Sequence, residues 1–156
     1  MRQKILIAMD DSSNAARAVE LVAKSFSTDN QVVLFNVMID SQALCKMDSP
    51  ELTPLFKSQQ TSFCALEDKK RELVEAALQS AKKALVASGF DTANIELKVQ
   101  NKKKGIARDI LNEAAKGYDL LVIGRRGISG IREFFLGGTS QKVFSGAKEI
   151  SILVAN

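Results

Sequence analysis

The chain has 156 residues, 46% of them hydrophobic and 26% charged, with a formal net charge of +4 and two cysteines. This size and balance suit one compact domain, expected over residues 1–156, that buries most of its apolar surface. The sequence contains no histidine, which removes Ser-His-Asp and Cys-His nucleophile activation, histidine metal ligation and the usual general base near pH 7.

The opening MRQKILIAMDD has only a short apolar run, and no later stretch approaches the length of a bilayer span, so a cytoplasmic protein without membrane contact is expected. Residues 4–9 (KILIAM) form a nearly continuous apolar run, as in a strand covered on both faces of a parallel sheet. A helix should follow, capped by Ser12 or Ser13, with Ala15, Ala18, Val19, Val22, Ala23 and Phe26 on its apolar face. Residues 31–37 (QVVLFNV) read as a second buried strand.

Residues 38–65 hold both prolines and no sustained period, so a long loop with at most a short helical turn is expected there. Cys45 and Cys64 fall in it, form no CxxC pair, and are read as ordinary free thiols; Cys45, Met47, Phe56 and Phe63 can cover a bound base or, the default expectation, pack the loop down. Leu73, Val74, Ala77, Leu78, Ala81 and Leu85 then mark an amphipathic helix over residues 66–88, with Gly89 as its left-handed cap. Residues 95–99 alternate as a strand. Ile106, Ala107, Ile110, Leu111 and Ala114 mark another helix, and residues 120–123 (LLVI) a fourth buried strand. A last helix over residues 139–145 and a strand over residues 151–154 complete the pattern. Strands alternating with helices imply a three-layer α/β fold, because parallel strands need right-handed crossovers.

In such folds ligands bind beyond the carboxyl ends of the strands, and five of the nine glycines fall between Gly124 and Gly138, directly after the fourth strand. That stretch, GRRGISGIREFFLGGTS, suits a di- or triphosphate: glycines let backbone N–H groups approach an anion, and the following helix start offers free donors. Arg125 and Arg126 add positive charge, and the Thr139 and Ser140 hydroxyls can donate to phosphate or cap the helix. The alternative is a glycine-rich surface loop with solvated arginines.

The first strand ends in Asp10 and Asp11 with no GxGxxG, which excludes a dinucleotide-binding turn there. Asp10 can accept hydrogen bonds from ribose hydroxyls or hold Mg²⁺ beside phosphates, or equally complement the helix dipole, which is the role expected of Asp11. No GxxxxGK[ST] occurs, and the third strand ends in Val99, Gln100 and Asn101 rather than a phosphoacceptor aspartate. The run NKKK at residues 101–104 reads as a solvated loop, and without an aromatic platform nucleic acid is not expected.

From the KILIAMD opening to the ISILVAN strand, the sequence resembles the universal stress protein family. ATP-binding members carry a glycine, two residues, a second glycine, nine residues, then a glycine followed by serine or threonine. Gly124, Gly127 and Gly137 match that spacing, with Gly138 in the hydroxyl position and Thr139 and Ser140 directly after it. The resemblance implies five parallel strands in the order 3-2-1-4-5. It also implies an adenine nucleotide such as ATP, with Asp10 near ribose and adenine, Val37 against adenine, and Met9 and Ile123 lining the pocket. A homodimer through residues 151–154 is implied as well. The output expected is an interaction with a protein partner in a stress response, with at most slow ATP hydrolysis or autophosphorylation; the alternative, to which Gly138 in the hydroxyl position points, is a family member without nucleotide binding that acts only by protein interaction.

Overall fold

The computed structural model describes residues 1–48, 51, 53–125 and 138–156. Five strands, β1 (Lys4–Ala8), β2 (Gln31–Met38), β3 (Ile95–Asn101), β4 (Leu120–Gly124) and β5 (Ser151–Ala155), form one sheet in the order β3-β2-β1-β4-β5. Every neighbouring pair is parallel, with Ile7 opposite Leu34 and Val122, Val32 opposite Ile95, and Leu121 opposite Ile152. The fold class and strand order expected from the sequence are those observed.

The helices are α1 (Ser13–Ser25), α2 (Gln42–Cys45), α3 (Pro54–Ala87), α4 (Ile106–Ala114) and α5 (Gly138–Gly146). Strand residues alternate between two cores. Ile5, Ile7 and Leu34 pack with Val19 and Val22 of α1 and Leu78 and Leu85 of α3. Leu6, Phe35 and Leu121 pack with Ile110 of α4 and Val143 of α5 on the other face. Both faces of β1, β2 and β4 are therefore dry, which is why these strands read as unbroken apolar runs. Each leucine or isoleucine so buried contributes about 2 kcal/mol.

Met47, Phe56 and Phe63, expected to pack the loop down, are exposed, and two further expectations need correction. The helix expected from residue 66 begins at Pro54: Thr53 caps it, its hydroxyl accepting from Phe56 N at 3.2 Å, and proline occupies the first turn, where its missing N–H costs nothing. The periodicity failed to show this because the helix buries only Val74, Leu78, Ala81 and Leu85. Its amino-terminal half carries no core stripe to detect. Gly89 does close the helix, at φ 101°, with Phe90 N donating to Leu85 O.

The second correction concerns the cysteines. Cys45, the last residue of α2, and Cys64, in the early turns of α3, are joined by a disulfide with their Cα atoms 5.9 Å apart. They stand 19 positions apart in sequence. Only the unrecognised helix start brings the second thiol back against α2.

Where α4 meets β3, Glu113 is buried at 2% exposure and accepts from Lys98 Nζ (2.7 Å), Lys116 Nζ (2.7 Å) and the Tyr118 hydroxyl (2.9 Å). Three donors on one carboxylate satisfy a charge that would otherwise be costly to bury. The lysine-rich loop before α4 is held in the same manner, by Lys103 N and Lys104 N donating to the buried Asp109 carboxylate. The lysine side chains themselves are exposed. Among the described residues, no helix is long and apolar enough to cross a membrane.

Candidate functional site

β1 lies between β2 and β4; the crossover from β1 to β2 through α1 packs on one face of the sheet and that from β3 to β4 through α4 on the other, opening a crevice at the carboxyl ends of these three strands. The crevice is a cleft of about 360 Å³. Its floor comes from Met9, Asp10 and Asp11 after β1, Val37 near the end of β2, and Ile123 and Gly124 at the end of β4. Gly138, Thr139 and Ser140, the first turn of α5, close one side. Glu67, Lys70 and Arg71 of α3 form the opposite wall.

The β1 end of the site is fixed by backbone hydrogen bonds. Met9 N donates to Phe35 O at 2.7 Å, and the buried Asn36 amide donates from Nδ2 to Met9 O at 2.7 Å, so the chain stays in the sheet one residue beyond β1. Asp10 then turns it: its Oδ1 accepts from Ser12 N at 2.8 Å, and the Ser12 hydroxyl accepts from Ala15 N to cap α1. Asp11 Oδ1 and Asn36 Oδ1 are buried acceptors with no hydrogen-bond partner. Both residues line the cleft.

At the β4 end, a Cβ on Gly124 would lie 2.9 Å from the backbone carbonyl carbon of Asn14, so this glycine lets the first turn of α1 press against the strand end. Sequence reasoning gave the residue to phosphate approach; helix packing independently requires it. Ser140 Oγ donates to Gly124 O at 2.7 Å. Its single hydroxyl proton is thereby used, which leaves Thr139, exposed in the same turn, as the hydroxyl directed to solvent or ligand.

Of the residues named from sequence, Met9, Asp10, Val37, Ile123, Gly124, Gly138, Thr139 and Ser140 all line the one cleft. Arg125 does not: its backbone N–H donates to Ala155 O at 2.7 Å and its guanidinium to Asn156 Oδ1 at 3.2 Å, turning it toward β5. Arg126, Gly127 and Gly137 lie outside the described residues. The α3 wall was missed, although Glu67, Lys70, Arg71 and Val74 follow helical spacing and Val74 was placed on the buried face. Among the described residues, no three acidic or cysteine side chains cluster as metal ligands.

The sheet order and the cleft at its switch point define a doubly wound α/β protein with an open cleft between α1, α3 and α5. The universal stress protein family model matches residues 1–154, and the chain belongs to that family. Universal stress protein YxiE of Bacillus subtilis (strain 168) is 28% identical over 144 residues, spanning 92% of each chain. A universal stress protein solved in complex with cAMP superposes with TM-score 0.62 at 18% identity, covering 99% of this chain and 97% of the other. A family member from Arabidopsis thaliana with AMP bound gives TM-score 0.62 at 16% identity, covering 98% and 90%.

Proposed function

We propose that the chain binds an adenine nucleotide, ATP or a close relative, in this cleft. The observation that carries the reading is the convergence of an acidic turn at Asp10 and Asp11 with the amino-terminal turn of α5 at Gly138, Thr139 and Ser140. A nucleotide needs both. Ribose hydroxyls donate to carboxylates, and Asp11 Oδ1 is a buried acceptor without a donor. Phosphates accept from backbone N–H groups and are favoured by the helix dipole. Val37 and Ile123 supply apolar surface for a base. The relatives holding cAMP and AMP support the same ligand class.

Mg²⁺ would arrive with a polyphosphate and be held chiefly by it, since one oxygen of Asp10, the acid expected beside it, already closes the α1 turn. The domain as a whole, residues 1–156, acts in this reading as a cytoplasmic stress-response protein whose nucleotide state alters contacts with itself or a protein partner. β5 stands at one edge of the sheet and, among the described residues, pairs only with β4; it is the surface for a homodimer. Turnover is not required by this role. An ¹⁵N shift map with Mg-ATP tests the site: changes should concentrate at residues 9–12, 36–38, 123–124 and 138–140. Changes elsewhere alone, or none at saturating ligand, would remove the assignment.

A further inference from the structure

The disulfide lies on the same stripe of α3 that walls the cleft. Cys64, Glu67, Arg71 and Val74 recur at intervals of three, four and three residues, hence along one helix face, and the last three line the cleft. Cys45 ends α2, the short helix after β2, whose last residue Met38 and following residue Ile39 also line it. The bridge therefore joins the two segments that bound the cleft opposite α5.

Among the described residues α3 is anchored to the core well beyond this point. The buried residues of α3 are Val74, Leu78, Ala81 and Leu85, all beyond the cysteine. Between α2 with its following residues and the start of α3, links among the described residues include Gln60 Nε2 donating to Leu44 O and Met47 O, and an exposed Lys57–Asp48 ion pair at 3.9 Å. Such an exposed pair contributes little. Both cysteines are only half-buried, so a small thiol can reach the bridge.

We propose that Cys45–Cys64 is a reversible modification site for a low-molecular-weight thiol and its disulfide, and that its oxidation state sets the affinity of the cleft. This rests on the nucleotide reading above. A thiolate attacks one bridge sulfur, forming a mixed disulfide and releasing the other cysteine as thiolate. A second thiolate takes the mixed disulfide's outer sulfur, leaving two cysteine thiols and the small-molecule disulfide. Two electrons pass to the protein, and the protons of the two incoming thiols end on the two cysteines. Oxidation reverses every step. The oxidised state holds the α2–α3 wall in place before ligand arrives; the reduced state must order it on binding.

The test compares the oxidised protein, the protein reduced with glutathione, and Cys45→Ser/Cys64→Ser, each titrated with ATP and each followed by hydrogen exchange. Thiol labelling should find both cysteines blocked in the oxidised protein; free thiols there overturn the proposal. ATP should bind the reduced and variant forms at least about fivefold more weakly than the oxidised form, within the usual range of coupled sites. Equal affinities overturn the coupling. Absence of ATP binding in every form would instead contradict the nucleotide reading, and exchange then decides the site: faster exchange over residues 42–48 and 54–71 on reduction supports it, and unchanged exchange overturns it. Should the double variant fail to fold, the wild-type pair of states carries the comparison.

Discussion

Ser140, in the first turn of α5, gives its hydroxyl proton to the carbonyl of Gly124, the last residue of β4, at 2.7 Å. This bond joins the two ends of the glycine-rich segment and holds the amino terminus of α5 over the cleft. Ser140→Ala should lower stability by about 1 kcal/mol, the net value of such a bond, read as a fall in melting temperature of about 2–4 °C. Gly124→Ala should cost more, about 1–3 kcal/mol, because its Cβ would meet the Asn14 backbone, which cannot yield as a flexible side chain does.

Gly138 gives the opposite case. A Cβ there meets nothing within 4 Å, and the residue lines the cleft. Gly138→Ser should leave thermal stability within about 0.5 kcal/mol and place a hydroxyl where nucleotide-binding relatives are expected to carry one. A charge-assisted bond to phosphate should then tighten ATP binding by about tenfold, or 1.4 kcal/mol. Gly138→Val should fold equally well and bind more weakly, because a branched apolar side chain replaces phosphate space. Calorimetric titration of both variants beside the parent reads both effects.

Asp10 closes the turn into α1, and the proposed site gives it a second, separable task. Asn at this position keeps the oxygen that accepts from Ser12 N, whereas Ala loses it. Asp10→Asn should therefore retain stability while weakening ATP binding about tenfold, the cost of losing a charged acceptor worth about 1.4 kcal/mol to ribose hydroxyls or Mg²⁺. Asp10→Ala should lose both. Equal binding by the Asn variant and the parent would confine Asp10 to the turn.

Glu113 makes stability pH-dependent. Burial alone would raise its pKa, but hydrogen bonds from Lys116, Lys98 and Tyr118 outweigh burial and bring it from an ordinary 4.5 to about 2. Burial, reinforced by the bond to Glu113, pushes the Tyr118 hydroxyl upward, so it remains a donor throughout the neutral range. A carboxylate with a depressed folded pKa contributes its full stabilisation above pH 4.5 and loses it as pH falls toward 2. Glu113→Gln should lower stability at pH 7 by about 2 kcal/mol and flatten the decline between pH 4.5 and 2, checked by urea unfolding across that range.

Much of this was legible in the sequence because the fold advertises itself where burial is complete. KILIA, QVVLFNV and LLVI are buried on both faces, and Gly124 and Gly138, at the two ends of the glycine-rich stretch, line the cleft. What was missed lies where burial is partial. The amino-terminal half of α3 has almost no buried face, so its true start at Pro54 left only a capping threonine and a first-turn proline as signals. With that start unseen, Cys64 had no place on a helix and its pairing with Cys45 could not be inferred. The Arg125 side chain was assigned by proximity in sequence, yet its guanidinium turns to Asn156, a contact that depends on β4 lying beside β5.

Isothermal titration of the nucleotide-stripped protein with Mg-ATP, with AMP and GTP as controls, tests the central claim most directly. Saturable binding of one adenine nucleotide per chain, weaker or absent for GTP, is the expected result. No heat and no binding by any adenine nucleotide, in protein shown to be folded, would contradict it and leave the cleft without its proposed ligand.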